Sequence, residues 1–152
     1  MRLVNCVSDN DYDEVILFQL VSGTVEISSC FFVSQGRIFY ISTGTLKTHR
    51  STFIRDGDES EPVLEIAGAG TIDSQLSGFL NTGAGGGAAL LVSTSSPTSI
   101  ILHHCLFRKA SGTYSIDGTS GTPAIYLANC VANAAIDTAF AGAHDIQVDP
   151  NY

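Results

Sequence analysis

The chain has 152 residues, with fifteen acidic side chains against seven basic ones, a formal net charge of −8, and only 14% charged residues. That length is one ordinary domain with room for a sizeable core. The negative balance argues against a nucleic-acid backbone or an anionic membrane surface as partner, and no apolar run is long enough to span a bilayer.

The opening stretch, MRLVNCVSDNDYD, lacks the apolar h-region of a signal peptide. Its Met1, Leu3, Cys6 and Ser8 stand at offsets 0, 2, 5 and 7. A short apolar segment follows, VILFQL (15–20). The offsets then return in VEISSCFF, as Val25, Ile27, Cys30 and Phe32, followed by RIFYI (37–41). LKTHRSTF repeats them with Leu46, Thr48, Ser51 and Phe53, ahead of PVLEI (62–66). A weaker copy reads Ala69, Thr71, Ser74 and Leu76. Next comes a Gly-rich stretch, 80–90, expected to be an excursion loop, and then AALLV (88–92). ILHHCLF restores the pattern with Ile100, Leu102, Cys105 and Phe107, before TYSI (113–116). IYLANCVA gives Ile125, Leu127, Cys130 and Ala132. The alanine-rich VANAAIDTAFAG (131–142) reads either as a helix or as a small-residue final coil.

The residues at the fifth offset, 6, 30, 51, 74, 105 and 130, are spaced by 24, 21, 23, 31 and 25. Recurrence at this period is the mark of a solenoid. Alternation within each unit implies short strands, and the phase break between offsets 2 and 5 implies a two-residue corner. The corner pairs are Val4-Asn5, Ser28-Ser29, His49-Arg50, Ile72-Asp73, His103-His104 and Ala128-Asn129. With the third apolar segment, each unit supplies three strands. The expected fold is all-β: a single-stranded parallel β-helix solenoid of about six coils of 21–31 residues, one domain over 1–152. Stacked coils superpose like residues about 4.8 Å apart. One inner column is then Cys6, Cys30, Ser51, Cys105 and Cys130, and another is Phe32, Phe53 and Phe107. The ends of such a column need cover from a neighbouring subunit or from further coils of a longer fibre.

Chemistry-bearing residues are few. His103, His104 and Cys105 would have to converge to hold a metal, but the column puts Cys105 inside and the histidines on an outer corner. The cysteines fall in two adjacent-coil pairs, Cys6 with Cys30 and Cys105 with Cys130, whose separation is within disulfide range; a reduced packing column is the blander reading, a disulfide the alternative. Asp56, Asp58, Glu59 and Glu61 are carboxylates that calcium could use, without the full spacing of a known loop motif. A glycosidase needs two carboxyls flanking one bond. Glu26, Glu65, Asp73 and Asp117 are the strand acids available, and no stacked pair is evident among them. The stretch NTGAGGGAALL lacks the lysine of a phosphate loop. No catalytic residue, resident metal or cofactor is expected. Tyr12, His103, His104 and Tyr126 are candidate ligand contacts. Outward apolar residues (Phe31, Ile38 or Phe39, Ile101 and Leu106) suggest burial against partners.

The units VEISSCFFVSQG, IILHHCLFRKA and IYLANCVANAA resemble repeats of the right-handed parallel β-helix, pectin-lyase-like proteins. Asn5 and Asn129 sit where that group often has a turn asparagine. The group contains pectate lyases, polygalacturonases, phage tailspikes, viral fibres and adhesins. The resemblance implies a right-handed coil. With the apolar outer positions, it also implies a homo-oligomer, a trimer in the manner of viral fibres. The expected function is a structural or glycan-binding module of a viral or cell-surface fibre, non-enzymatic. The alternative is a fragment of a polysaccharide lyase or glycoside hydrolase.

Overall fold

The computed structural model describes residues 1–10, 16–94, 99–110, 112–118, 124–137, 140, 142 and 144–148. It is a single-stranded parallel β-solenoid of about five turns. The first coil holds β1 (Arg2–Val4), β2 (Val7–Asn10) and β3 (Phe18–Leu20). The second holds β4 (Thr24–Ser28), β5 (Phe31–Ser34) and β6 (Phe39–Ile41). The third holds β7 (Gly44–His49), β8 (Thr52–Arg55) and β9 (Leu64–Ile66). The fourth holds β10 (Gly70–Gln75), β11 (Gly78–Asn81) and β12 (Leu90–Val92). The fifth holds β13 (Ser99–His103), β14 (Leu106–Lys109) and β15 (Tyr114–Gly118). A sixth begins with β16 (Ile125–Ala132), which runs through the first corner, and β17 (Ala135–Ile136). β18 (His144–Val148) pairs with β16 from the coil beyond. The alanine-rich stretch supplies strand residues, and no helix occurs among the described residues.

Every strand pairs in parallel with its counterpart one coil away. Three faces result. The first strands of each coil form one, the second strands another, and the third strands a separate sheet in the order β3-β6-β9-β12-β15-β17.

The corner between the first two faces repeats almost without change. Asn5, Ser29, Arg50, Leu76, His104 and Asn129 all have φ between 50° and 54°. For a non-glycine residue this left-handed conformation costs roughly 1–2 kcal/mol. It is held because the inter-coil hydrogen bonds continue through it. The Ser29 N–H donates to His49 O at 2.9 Å, Arg50 N–H to Gln75 O at 3.1 Å, and Leu76 N–H to His103 O at 3.0 Å.

These angles correct the fourth copy of the repeat. Its corner is Gln75-Leu76, not Ile72-Asp73, because Leu76 is the left-handed residue. Its inward set is Ile72, Ser74, Ser77 and Phe79, all buried. The column residues are therefore 6, 30, 51, 77, 105 and 130, spaced 24, 21, 26, 28 and 25.

The column just past the corner is more than packing. At each step, a backbone N–H donates to the side chain of the next coil: Cys6 to Cys30 Sγ at 3.3 Å, Cys30 to Ser51 Oγ at 3.2 Å, and Ser51 to Ser77 Oγ at 3.4 Å. Each side chain in turn donates to the carbonyl two residues earlier in its own coil. Ser51 reaches His49 O at 3.0 Å, Ser77 reaches Gln75 O at 3.0 Å, and Cys105 reaches His103 O at 3.4 Å. The site needs one small atom that accepts and donates at once. Serine and cysteine both qualify, which is why they interchange here. All four cysteines are free thiols. The hydrogen bond from Cys130 lowers the Cys105 pKa to about 7, and the same contact raises that of Cys130.

The next inner column is aromatic. Phe32, Phe53, Phe79 and Phe107 stack with ring centroids 5.8, 5.3 and 5.6 Å apart in succession. Phe39 from the third sheet meets Phe53 edge-on at 4.9 Å. Ile38 and Phe39 are fully buried, so the apolar surface does not include them. Beyond the phenylalanines lies a polar inner column of Asn10, Ser34, Arg55, Asn81 and Lys109. The last four are buried. Three of these bind carbonyls at or near the second corner: Arg55 Nη1 to Gly57 O at 2.7 Å, Asn81 Nδ2 to Gly87 O at 2.9 Å, and Lys109 Nζ to Tyr114 O at 2.7 Å. Lys109 thus lies inside the column, while Arg108 alone faces out.

The Gly-rich stretch is packed onto the coil below. The connection 82–89 has the same eight-residue length as 56–63, and an added Cβ at Gly83 or Gly87 would collide with the backbone of Gly57 or Glu61. The long interval in the repeat instead comes from 93–98, between β12 and β13.

Candidate functional site

The outer surface of the first face carries three columns. The corrected register sets them out as Thr24, Thr45, Thr71 and Ser99; then Arg2, Glu26, Lys47, Asp73, Ile101 and Tyr126; then Val4, Ser28, His49, Gln75, His103 and Ala128. The middle column alternates in charge over its first four positions. Lys47 stands between Glu26 and Asp73, and the backbone positions of these two acids are two strand steps apart, about 9.6 Å along the column. With Ile72-Asp73 taken as a corner, this pair is invisible. With the true register, Asp73 falls on the column.

A shallow depression of about 190 Å³ opens here, lined by Glu26, Lys47, His49, Asp73 and Gln75 over backbone at Ile27 and Thr48. Lys47 and Gln75 are exposed, and Glu26, His49 and Asp73 are half-buried. Among the described residues, ion pairs within 4 Å are those of Arg37 with Glu61 at 3.1 Å and with Glu65 at 2.6 Å. The charges of the depression are therefore turned outward, toward solvent or a ligand.

The other candidates lie apart from it. His103 is on the outer edge column, and His104 is the left-handed corner residue. The Cys105 thiol bonds inward to the carbonyl of His103, so the three do not converge. Tyr126 stands half-exposed at the far end of the charged column. Tyr12 lies outside the described residues. Asp56, Asp58 and Glu59 are exposed on the second corner, whereas Glu61 is tied to Arg37. Among the described residues no three His, Cys, Asp or Glu side chains come together as a metal would require. No helix of the described residues is long and apolar enough to cross a membrane. No family model matches the chain, and neither a curated protein nor a solved structure does.

Proposed function

We propose that the chain is a rigid β-helical binding module of a viral or cell-surface fibre, and that its first face engages an extended glycan. The observation that carries this reading is the outward depression over three coils. A lysine, two carboxylates, an imidazole and an amide line it at the strand spacing, beside the hydroxyl column of Thr24, Thr45, Thr71 and Ser99. Each contact is weak alone, and a polymer lying across several coils sums them. Tyr126, further along, offers a ring on which a sugar can stack. The test is retention on a glycan array followed by calorimetry. Binding to an acidic or neutral polysaccharide, reduced tenfold or more by Lys47→Ala with Gln75→Ala, supports the reading. No retained glycan sinks it.

Two acids, Glu26 and Asp73, on one outward column two strand steps apart favour a second reading. Carboxyls about 6.5–9.5 Å apart suit water-mediated inverting hydrolysis. Release of reducing ends from a bound polysaccharide, abolished by Glu26→Gln or Asp73→Asn, would move the assignment to an enzyme.

A further inference from the structure

The second face is unlike the first. Its outer surface has two columns. One is Val7, Phe31, Thr52, Gly78, Leu106 and Val131, and the other is Asp9, Val33, Ile54, Leu80 and Arg108. Val7 is 80% exposed and Phe31 41%. Such a continuous apolar strip on the outside of a sheet marks a contact surface. What covers it is written in the second column. Three aliphatic residues are closed by an acid at one end and a base at the other, four strand steps or about 19 Å apart. Among the described residues neither Asp9 nor Arg108 has an ion-pair partner.

We infer that this face binds a second copy of the chain, related by a two-fold axis that runs along the central strand β8 and reverses the solenoid direction. Sheets pack face to face about 10 Å apart. With the axis at β8, Ile54 meets its own copy. Val33 faces Leu80 of the second copy, and Asp9 faces Arg108 of the second copy at both ends. The first column agrees independently. The same operation sets Phe31, the largest outward apolar side chain of the face, against Gly78 of the second copy, the position with no side chain. Thr52 meets Thr52, and Val7 meets Leu106. Charge and shape thus select one symmetric arrangement. A parallel assembly, the three-fold one included, sets Asp9 beside Asp9 and Arg108 beside Arg108. Like charges held together oppose it.

Light scattering of the intact chain tests this. The expected mass is twice the 16.0 kDa of one chain. A monomer across the micromolar range, or a trimer, overturns the inference. Asp9→Arg alone and Arg108→Asp alone should each weaken self-association at least tenfold. The double exchange should restore it to within a few-fold, because the antiparallel pairing is rebuilt. A double variant no better than the singles overturns the antiparallel arrangement. Both side chains are exposed on the free chain, so circular dichroism should show each variant folded. Phe31→Ala provides a check free of charge: it should weaken association and leave the melting temperature of the monomer within a few degrees.

Discussion

The first and second faces are built from the same coils and share one interior, yet their outer surfaces differ in kind. The inner positions of both are set by stacking: aliphatic residues, then serine or cysteine, then phenylalanine. The outer positions of the first face alternate in charge along its middle column, as Arg2, Glu26, Lys47 and Asp73. The outer positions of the second face are apolar between two terminal charges. Nothing in the solenoid geometry demands this difference, since both faces alternate inward and outward alike. On the two proposals above, the difference follows from what each face would meet. A charged column loses hydration when a protein surface covers it and is better matched to a wet, polar ligand. An apolar column gains by being covered.

The comparison breaks first at the shared interior. Phe53 touches Phe32, Phe79 and Phe39, so Phe53→Ala should cost about 3–5 kcal/mol in urea unfolding and impair both faces together. Loss of one face alone would mean that the faces do not rest on a common core. Ser51→Ala comes next. It leaves the buried Cys30 N–H without its acceptor and should cost about 1–3 kcal/mol, whereas Ser51→Cys should change stability by less than about 1 kcal/mol. Equal losses for the two variants would reduce this column to simple filling. At the edge between the faces, Leu76 is exposed and left-handed. Leu76→Asn should therefore raise the unfolding free energy by about 1 kcal/mol. On the first face, Lys47 is exposed and unpaired among the described residues, so Lys47→Ala should alter stability by less than about 0.5 kcal/mol while weakening any glycan contact.

A pH series sharpens the contrast between inner and outer lysines. Burial lowers the Lys109 pKa below its ordinary value, only partly countered by Asp117. Between the folded pKa and the ordinary one, the unfolded chain binds more protons, so stability rises with pH across that alkaline window. Below the folded pKa both states are protonated and this contribution is flat. Lys109→Met should lack the rise, and parallel stability curves for the two proteins would place Lys109 in a solvated setting instead.

Much of the architecture is legible in the sequence because cysteine and phenylalanine are rare enough to mark two columns at fixed offsets. The fourth coil is ambiguous in the sequence. Ser74 and Ser77 both point inward, and the serine three residues early fits the template with Leu76 as a false inward residue. Phe79, in the phenylalanine column, is the marker that resolves it. That three-residue slip also masks the Glu26–Lys47–Asp73 column, since it puts Asp73 in a corner. The polar inner column stayed hidden for another reason. A charged residue two places past Phe53 or Phe107 reads as a solvated strand exit, and only the carbonyls of the second corner explain why Arg55 and Lys109 are buried there.

The unbroken parallel pairing has a kinetic consequence. Each strand bonds to one a full coil away, 16 to 28 residues along the chain. Closing the first such loop is opposed by chain entropy before any hydrogen bond rewards it. Every later coil then docks on a template already formed. Folding should show a slow nucleation step followed by rapid propagation along the axis, and hydrogen exchange should fray from the terminal coils inward toward β7, β8 and β10, β11, which have neighbours on both sides.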